Sequence, residues 1–206
     1  MKLEKASGKA ITFACKNFHY AKRIPYASFG YSVFNNKKEW CGVVLFNRGN
    51  IRCGAPYKLL NGQIVELIRV ALNGKQESTT KAVAIALRLL KKDAPNVKMV
   101  VSYADIDQDH IGVIYQAGNW IYEDTKKTRP KHFDKKTGKE VHDRQVCVSG
   151  VTNIGGKQKK CYKYSDVITQ KRGMLIKYVY PLSKEIRAEL IKRAKPYPKK
   201  QNAVIA

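Results

Sequence analysis

The stretch from Ile64 to Tyr103 constrains the fold more than any other. Ile64 to Leu72 is rich in aliphatic and β-branched residues, as strands are, and Asn73-Gly74 breaks it. Ser78 then stands where a helix N-cap is expected. From Thr79 to Lys92 the apolar residues Ala82, Val83, Ala86, Leu87 and Leu90 recur at helical spacing, and basic residues gather at the C-terminal end. Pro95 stops the helix, and Val97 to Tyr103 is a nearly unbroken apolar run, as in a strand covered on both faces. Strand, helix and strand in so short a span call for an α/β or α+β sheet with helices packed on it.

The rest of the chain reads in the same terms. Lys9 to Tyr20 suggests a short helix. Tyr26 to Phe34 and Trp40 to Phe46, parted by Asn35-Asn36-Lys37-Lys38, suggest a hairpin. A loop is expected around Cys53-Gly54-Ala55-Pro56, a short helix or turn from His110 to Ala117, and strands at Asn119–Tyr122 and Met174–Tyr180. Ser183 to Ala194 reads as a basic amphipathic helix and Lys195 to Ala206 as a frayed tail. With 206 residues the chain is expected to form a single domain.

Charge narrows the partner. Forty Lys and Arg face sixteen Asp and Glu, a formal +24, whereas solubility asks for a net charge of only ~2–8. Lys126 to Arg172 holds 14 Lys/Arg against 4 Asp/Glu, a net +10, and reads as an irregular basic insertion. Such an excess implies a polyanion, and nucleic acid or an anionic membrane surface are the usual ones. No apolar run approaches the ~18 residues needed to span a bilayer. The five cysteines are odd in number and form no CxxC pair. Reduced thiols and a soluble, cytoplasmic protein are therefore expected.

Three constellations carry candidate chemistry. Ser102, Tyr103 and Asp105 sit where a buried strand ends, and polar residues there point into the crevice at the strands' carboxyl ends. Asp105 and His110 can share a proton, orient one another or bind a metal; equally, Asp105 can cap the following turn and His110 be a surface residue. His19-Tyr20, beside Arg23 and Pro25, can be catalytic or can anchor a loop. Asn73 to Lys81 places Ser78, Thr79 and Thr80 at a helix N-terminus, which serves as a phosphate cradle or as an ordinary cap. There is no GxxxxGK[ST] and no GxGxxG.

The block Ser102-Tyr103-Ala104-Asp105 through Tyr115-Gln116-Ala117-Gly118-Asn119-Trp120-Ile121-Tyr122 closely resembles the Mom family, phage proteins that convert DNA adenine to its N6-carbamoylmethyl form and so hide phage DNA from restriction. Phe18-His19-Tyr20, Glu66-Leu67, Arg69 to Leu72, Ala86 to Lys92, Lys177 to Leu182 and Pro196 to Lys199 agree in order, so the resemblance spans roughly residues 10 to 200. Two positions depart from it: Asp109 and Glu123 stand where the family usually has Gly.

The resemblance implies a GNAT acetyltransferase-like domain with a central, mostly antiparallel mixed sheet flanked by helices. It also implies a donor such as acetyl-CoA or a related CoA compound, bound where the central strand splays from its neighbour. Ser78, Thr79 and Thr80 would face that donor, although the GNAT pyrophosphate motif is degenerate here.

Double-stranded DNA is the implied partner, with Lys157, Lys159, Lys160 and Lys163 as phosphate contacts. The flipped adenine would meet Ser102, Tyr103, Tyr115, Gln116, Asn119 and Trp120, and Asp105, His19, Tyr20 and His110 are the candidate catalytic residues. A His, Tyr and carboxylate set also suits iron or another transition metal, with His19, Tyr20 and Asp105 as ligands. Two rivals stand beside this reading: a GNAT-like N-acetyltransferase on a protein or small amine, and a non-enzymatic DNA-binding protein. The oligomeric state is open, a homodimer included.

Overall fold

The computed structural model of the chain describes residues 1–49, 51–154 and 157–199. In chain order the elements are β1 (Lys2–Lys5), α1 (Gly8–Asn17), β2 (Phe29–Phe34), β3 (Trp40–Arg48), α2 (Ile51–Gly54), β4 (Ile64–Leu72), α3 (Thr79–Asp93), β5 (Met99–Asp105), α4 (Val113–Ala117), β6 (Ile121–Lys127), β7 (Lys131–Asp134), β8 (Glu140–Val141), β9 (Val151–Ile154), β10 (Lys157–Lys160), β11 (Val167–Gln170), β12 (Met174–Pro181) and α5 (Lys184–Ile191). They form two compact units. The second comprises Asp105–His110 and Thr125–Leu175, and the first holds the rest of the described chain.

The first unit is built on a seven-stranded sheet in the order β1-β2-β3-β4-β5-β12-β6. Strands β1 to β4 pair antiparallel, and β4 and β5 run parallel. Period-two alternation sorts the side chains. Val44, Phe46, Val65, Leu67 and Val100 face α3, which buries Ala82, Val83, Ala86, Leu87 and Leu90 against them. Their neighbours in sequence face the other way. Val43, Leu45 and Ala71 meet Ala14 and Cys15 of α1, while Ile64, Met99, Val101 and Val179 meet Ile186 and Leu190 of α5. Helices therefore cover both faces, which is why β4 and β5 read as apolar runs.

Local signals set the helix starts. Ser78 Oγ accepts the Lys81 N–H at 3.2 Å, Ser7 Oγ accepts that of Ala10 at 3.2 Å and Ser183 Oγ that of Ile186 at 3.3 Å. Helix α1 ends at Asn17, short of the expected Tyr20, and leaves His19 and Tyr20 in a turn. The Cys53–Pro56 stretch, expected as loop, is a short helix followed by a 3-10 turn. The expected frayed tail is tied down at its start: Lys195 N donates to the Tyr122 carbonyl at 2.9 Å and the Tyr197 hydroxyl to that of Trp120 at 2.6 Å. Residues 200–206 of that tail lie outside the described residues.

The basic insertion is ordered, contrary to the irregular segment expected. Strands β11, β7 and β8 form a three-stranded sheet, and β9 and β10 an antiparallel ribbon. A small core of Val141, Val146 and Val167 explains the order, together with His132, which is 1% exposed. His132 Nδ1 lies 3.0 Å from Thr169 Oγ1, and Nε2 faces Asp143, whose carboxyl an Arg129 hydrogen bond of 2.7 Å holds below its usual range. The cysteines also differ from the all-reduced expectation. Cys147 and Cys161 are joined in a disulfide, because the bridge between Val146 and Tyr162 brings them side by side. Cys15, Cys41 and Cys53 are free thiols.

Candidate active site

The site begins where β4 and β5 part. Their parallel register runs only from Ile64–Met99 to Glu66–Val101, although β4 continues to Leu72 and β5 to Asp105. A bulge sits at the same place. Leu45 of β3 opposes Arg69 and Phe46 opposes Leu67, so Ile68 is the extra residue. A bulge adds twist and bends the strand that carries it, and here it turns β4 away from β5. The splay leaves the Leu67 carbonyl without a ladder partner. Ser102 of β5 replaces it, donating from Oγ at 2.9 Å and lying 2.8 Å from the Tyr115 hydroxyl.

Polar groups of the first unit gather around this fork. Burial, and then the nearby Tyr20, Glu66 and Tyr178 against the lowering contact of Ser102, push the Tyr115 hydroxyl up to about 12. The Tyr103 hydroxyl is raised further, first by burial, then by the Cys53 thiol at 3.4 Å and the Glu66 charge. Both phenols therefore hold their protons at neutral pH. Glu66, the last β4 residue in register with β5, is the acidic group common to both. It was not among the candidates from sequence, and the signal available was a carboxylate inside the otherwise apolar run Ile64-Val65-Glu66-Leu67-Ile68. Elsewhere in the first unit Arg69 Nε on β4 and Gln76 Oε1 in the loop before α3 are buried polar atoms without a hydrogen-bond partner among the described residues. Native folds leave few such atoms, and a bound ligand is one way to satisfy them.

His19 and Tyr20 form a stacked pair with ring centroids 4.3 Å apart, and Tyr20 is 53% exposed. The Ala21 N–H donates to His19 Nδ1 at 3.1 Å, so the neutral ring carries its proton on Nε2 and presents a donor there.

Several residues expected to hold a base are part of the framework. Trp120 is 1% exposed, between Tyr115 and Tyr180 at centroid distances of 5.1 and 5.3 Å, and has no face for a stacked base. Tyr115 and Ser102 are likewise buried. Gln116 Nε2 donates to the Ile111 carbonyl at 3.1 Å and the Tyr178 hydroxyl at 2.9 Å. Asn119 adopts a left-handed φ of 56°, turning the chain from α4 into β6. Around α3 the hydroxyls are also engaged. Ser78 Oγ caps the helix, Thr79 Oγ1 accepts from Gln76 Nε2 at 3.0 Å and Thr80 Oγ1 donates to the Ile114 carbonyl at 3.5 Å.

In the second unit Asp105 does what a cap does. Its Oδ1 accepts the Asp107 N–H at 3.1 Å, and its Oδ2 pairs with Arg172 Nη2 at 2.6 Å. His110 is exposed, and its N–H bonds to the Asp105 carbonyl at 3.2 Å. Asp109 has φ 53°, the left-handed region that explains why glycine suits this position, and Asp is among the side chains that tolerate it. Glu123, the other departure, is a buried partner: it accepts from the Tyr57 hydroxyl and pairs with Lys177 Nζ at 2.5 Å. Among the described residues no group of three or more His, Cys, Asp or Glu side chains could hold a metal ion. The Asp105 carboxylate of the expected set is paired with the Arg172 guanidinium. Lys157, Lys159, Lys160 and Lys163 are all exposed. No helix among the described residues is long and apolar enough to cross a membrane.

Comparison with solved structures places the fold. A mutant of the spermidine N-acetyltransferase SpeG from Vibrio cholerae is 10% identical with a TM-score of 0.50, over 92% of this chain and 99% of that one. A Bacillus subtilis acetyltransferase in complex with CoA is 12% identical with a TM-score of 0.49, over 88% and 97% of the two chains. The likeness is one of fold, and the domain is GNAT acetyltransferase-like, as expected. No curated protein matches the chain. The Mom protein family matches over residues 3–199, nearly the whole length. The chain belongs to the Mom protein family.

Proposed function

We propose that this protein is a transferase that modifies the N6 amine of adenine in double-stranded DNA, forming the N6-carbamoylmethyl base. The observation that carries the proposal is the fork between β4 and β5, lined by Glu66 and two tyrosines held protonated, in a member of the Mom family. Transfer to N6 forms a bond from nitrogen to the methylene carbon of a donor that already carries the carboxamide, breaks that carbon's bond to the leaving group, releases one proton from nitrogen and returns one to the leaving group. Glu66 accepts the first proton, and Tyr103, kept in its phenol form, supplies the second. Adenine must leave the duplex stack to reach such a crevice, and Tyr20, exposed and paired with His19, is the platform for it. His19 Nε2–H is a donor for a ring nitrogen or carbonyl.

A CoA-type donor is supported by the N-terminus of α3, which follows β4 and favours phosphate. When bound, it would have to carry the whole carbamoylmethyl group, since an acetyl thioester would give an N6-acetyl base. The phosphate role falls to the backbone of Thr79 and Thr80, since their hydroxyls are engaged. The basic second unit would hold the DNA backbone through Lys157, Lys159, Lys160 and Lys163. The net +24 disfavours a polyamine substrate such as that named for the Vibrio neighbour, because like charges repel.

Mass spectrometry of nucleosides from DNA of expressing cells tests the proposal. A modified deoxyadenosine is expected with the unaltered chain and at least 100-fold less with Glu66→Gln, about the range of general acid–base contributions. Unmodified deoxyadenosine alone, with soluble intact protein, would refute it. Full modification by Glu66→Gln would move the base elsewhere.

A further inference from the structure

We infer that the β9–β10 ribbon enters the major groove of duplex DNA and selects the sites to be modified, with Asn153 and Gln158 reading adenine edges. This rests on the proposed action on DNA and adds what chooses the adenine. In the ribbon Gln158 directly opposes Asn153, and Lys160 opposes Val151. Opposed residues share a face, and residues two apart along a strand share it too. One face therefore carries Asn153, Gln158, Val151 and Lys160, and the other Lys157 and Lys159. Asn153 and all of β10 are exposed, and Val151 is 42% exposed.

A two-stranded ribbon without a covered apolar face gains little from its own folding. This one is held at its base instead, by the Cys147–Cys161 disulfide and the Val146–Tyr162 bridge that flank it. Its side chains match a groove. The B-form major groove admits a two-stranded ribbon, side-chain amides pair with adenine N6 and N7, and an apolar group meets the thymine methyl of the same pair. Amides beside a valine thus address an A·T pair, and lysines on both faces reach the phosphates of the groove walls. The net +10 of residues 126–172 complements the duplex. A-form RNA, whose major groove is deep and narrow, would exclude the ribbon.

The test is selection of bound sequences from a random duplex pool at fixed salt, with the full chain and the double variant Asn153→Ala/Gln158→Ala. The unaltered chain is expected to enrich an A·T-containing motif bound about 10-fold or more tighter than a scrambled duplex, in line with one bidentate contact. The double variant is expected to bind the scrambled duplex within about twofold of the unaltered chain, with the same salt slope, and to enrich nothing. Its melting curve should match, since both positions are exposed. The same motif enriched by both proteins would overturn the ribbon's role and leave the action on DNA standing, as would duplex binding with no enrichment by either. Failure of the unaltered chain to bind any duplex, or a preference for A-form RNA, would overturn both.

Discussion

A phenol buried beside a strand fork makes alkaline pH a probe of the site. Tyr115 sits at about 12 when folded against an ordinary tyrosine value of about 10. Between those values the unfolded chain has released the proton and the folded one keeps it, so the unfolded state binds fewer protons and stability falls as pH rises. The full contribution is present below pH ~10 and is lost by pH ~12, and a two-unit shift corresponds to roughly 2–3 kcal/mol. Denaturant unfolding at pH 9 and pH 11.5 should show this loss, and Tyr115→Phe should shrink it. An equal loss in the variant would assign it to the other raised tyrosines, Tyr31, Tyr103, Tyr162 and Tyr178. Ser102→Ala removes the substitute for the missing ladder bond. It should cost about 1–3 kcal/mol at neutral pH, because the Leu67 carbonyl is left buried and unpaired.

Among the elements, the turn into α4 tolerates little. Gly112 has φ 82°, and a Cβ there would fall within the Tyr178 ring. Gly112→Ala should therefore destabilise by at least 1–3 kcal/mol, read as a lowered melting temperature, whereas Gly74→Ala, strained at φ 87° but open to solvent, should cost less. The framework was legible where local chemistry decides it. Asn73-Gly74 bounds β4, Ser78 caps α3, and the apolar run Val97–Tyr103 matches a strand covered on both faces. The fork was not legible, because it depends on which strand lies beside β4 and on a bulge at Ile68 that no local residue type demands. Roles at the site followed the same line. Ser102 was found as a polar group at a strand end and Tyr115 through the family resemblance, but the hydrogen bond between them is tertiary. Trp120 has the composition of a stacking platform and the place of a core residue. Asp105 had been balanced between catalysis and capping; its pairing with Arg172 came from a residue 67 positions away, a contact no local pattern announces.

For the molecule as a whole, charge makes salt the informative variable. Each phosphate neutralised lowers the logarithm of affinity by ~0.9 per decade of salt, so replacing Lys157, Lys159 and Lys160 by Gln should flatten the slope by up to about 2.7. Binding should weaken alike on all sequences, since phosphate contacts carry no base information. An unchanged slope would remove these lysines from the interface. Arg172→Ala, which unpairs both Asp105 and Asp107, should destabilise the second unit and is best read by proteolysis within residues 125–175.

The route of the chain through the sheet carries a consequence for how such proteins diversify. β6 leads out to the basic segment and β12 leads back, and these two strands lie next to each other, so their backbones are about 4.8 Å apart. An excursion that departs and returns at adjacent points asks nothing of the strand order, and loop length is thermodynamically cheap. On this ground the segment is expected to be exchangeable. Transplanting residues 128–172 into a relative should carry target choice with it and leave the recipient's chemistry in place. Diversity of recognition within the family would then accumulate in this one excursion, under different selection from the fork proposed to carry the reaction.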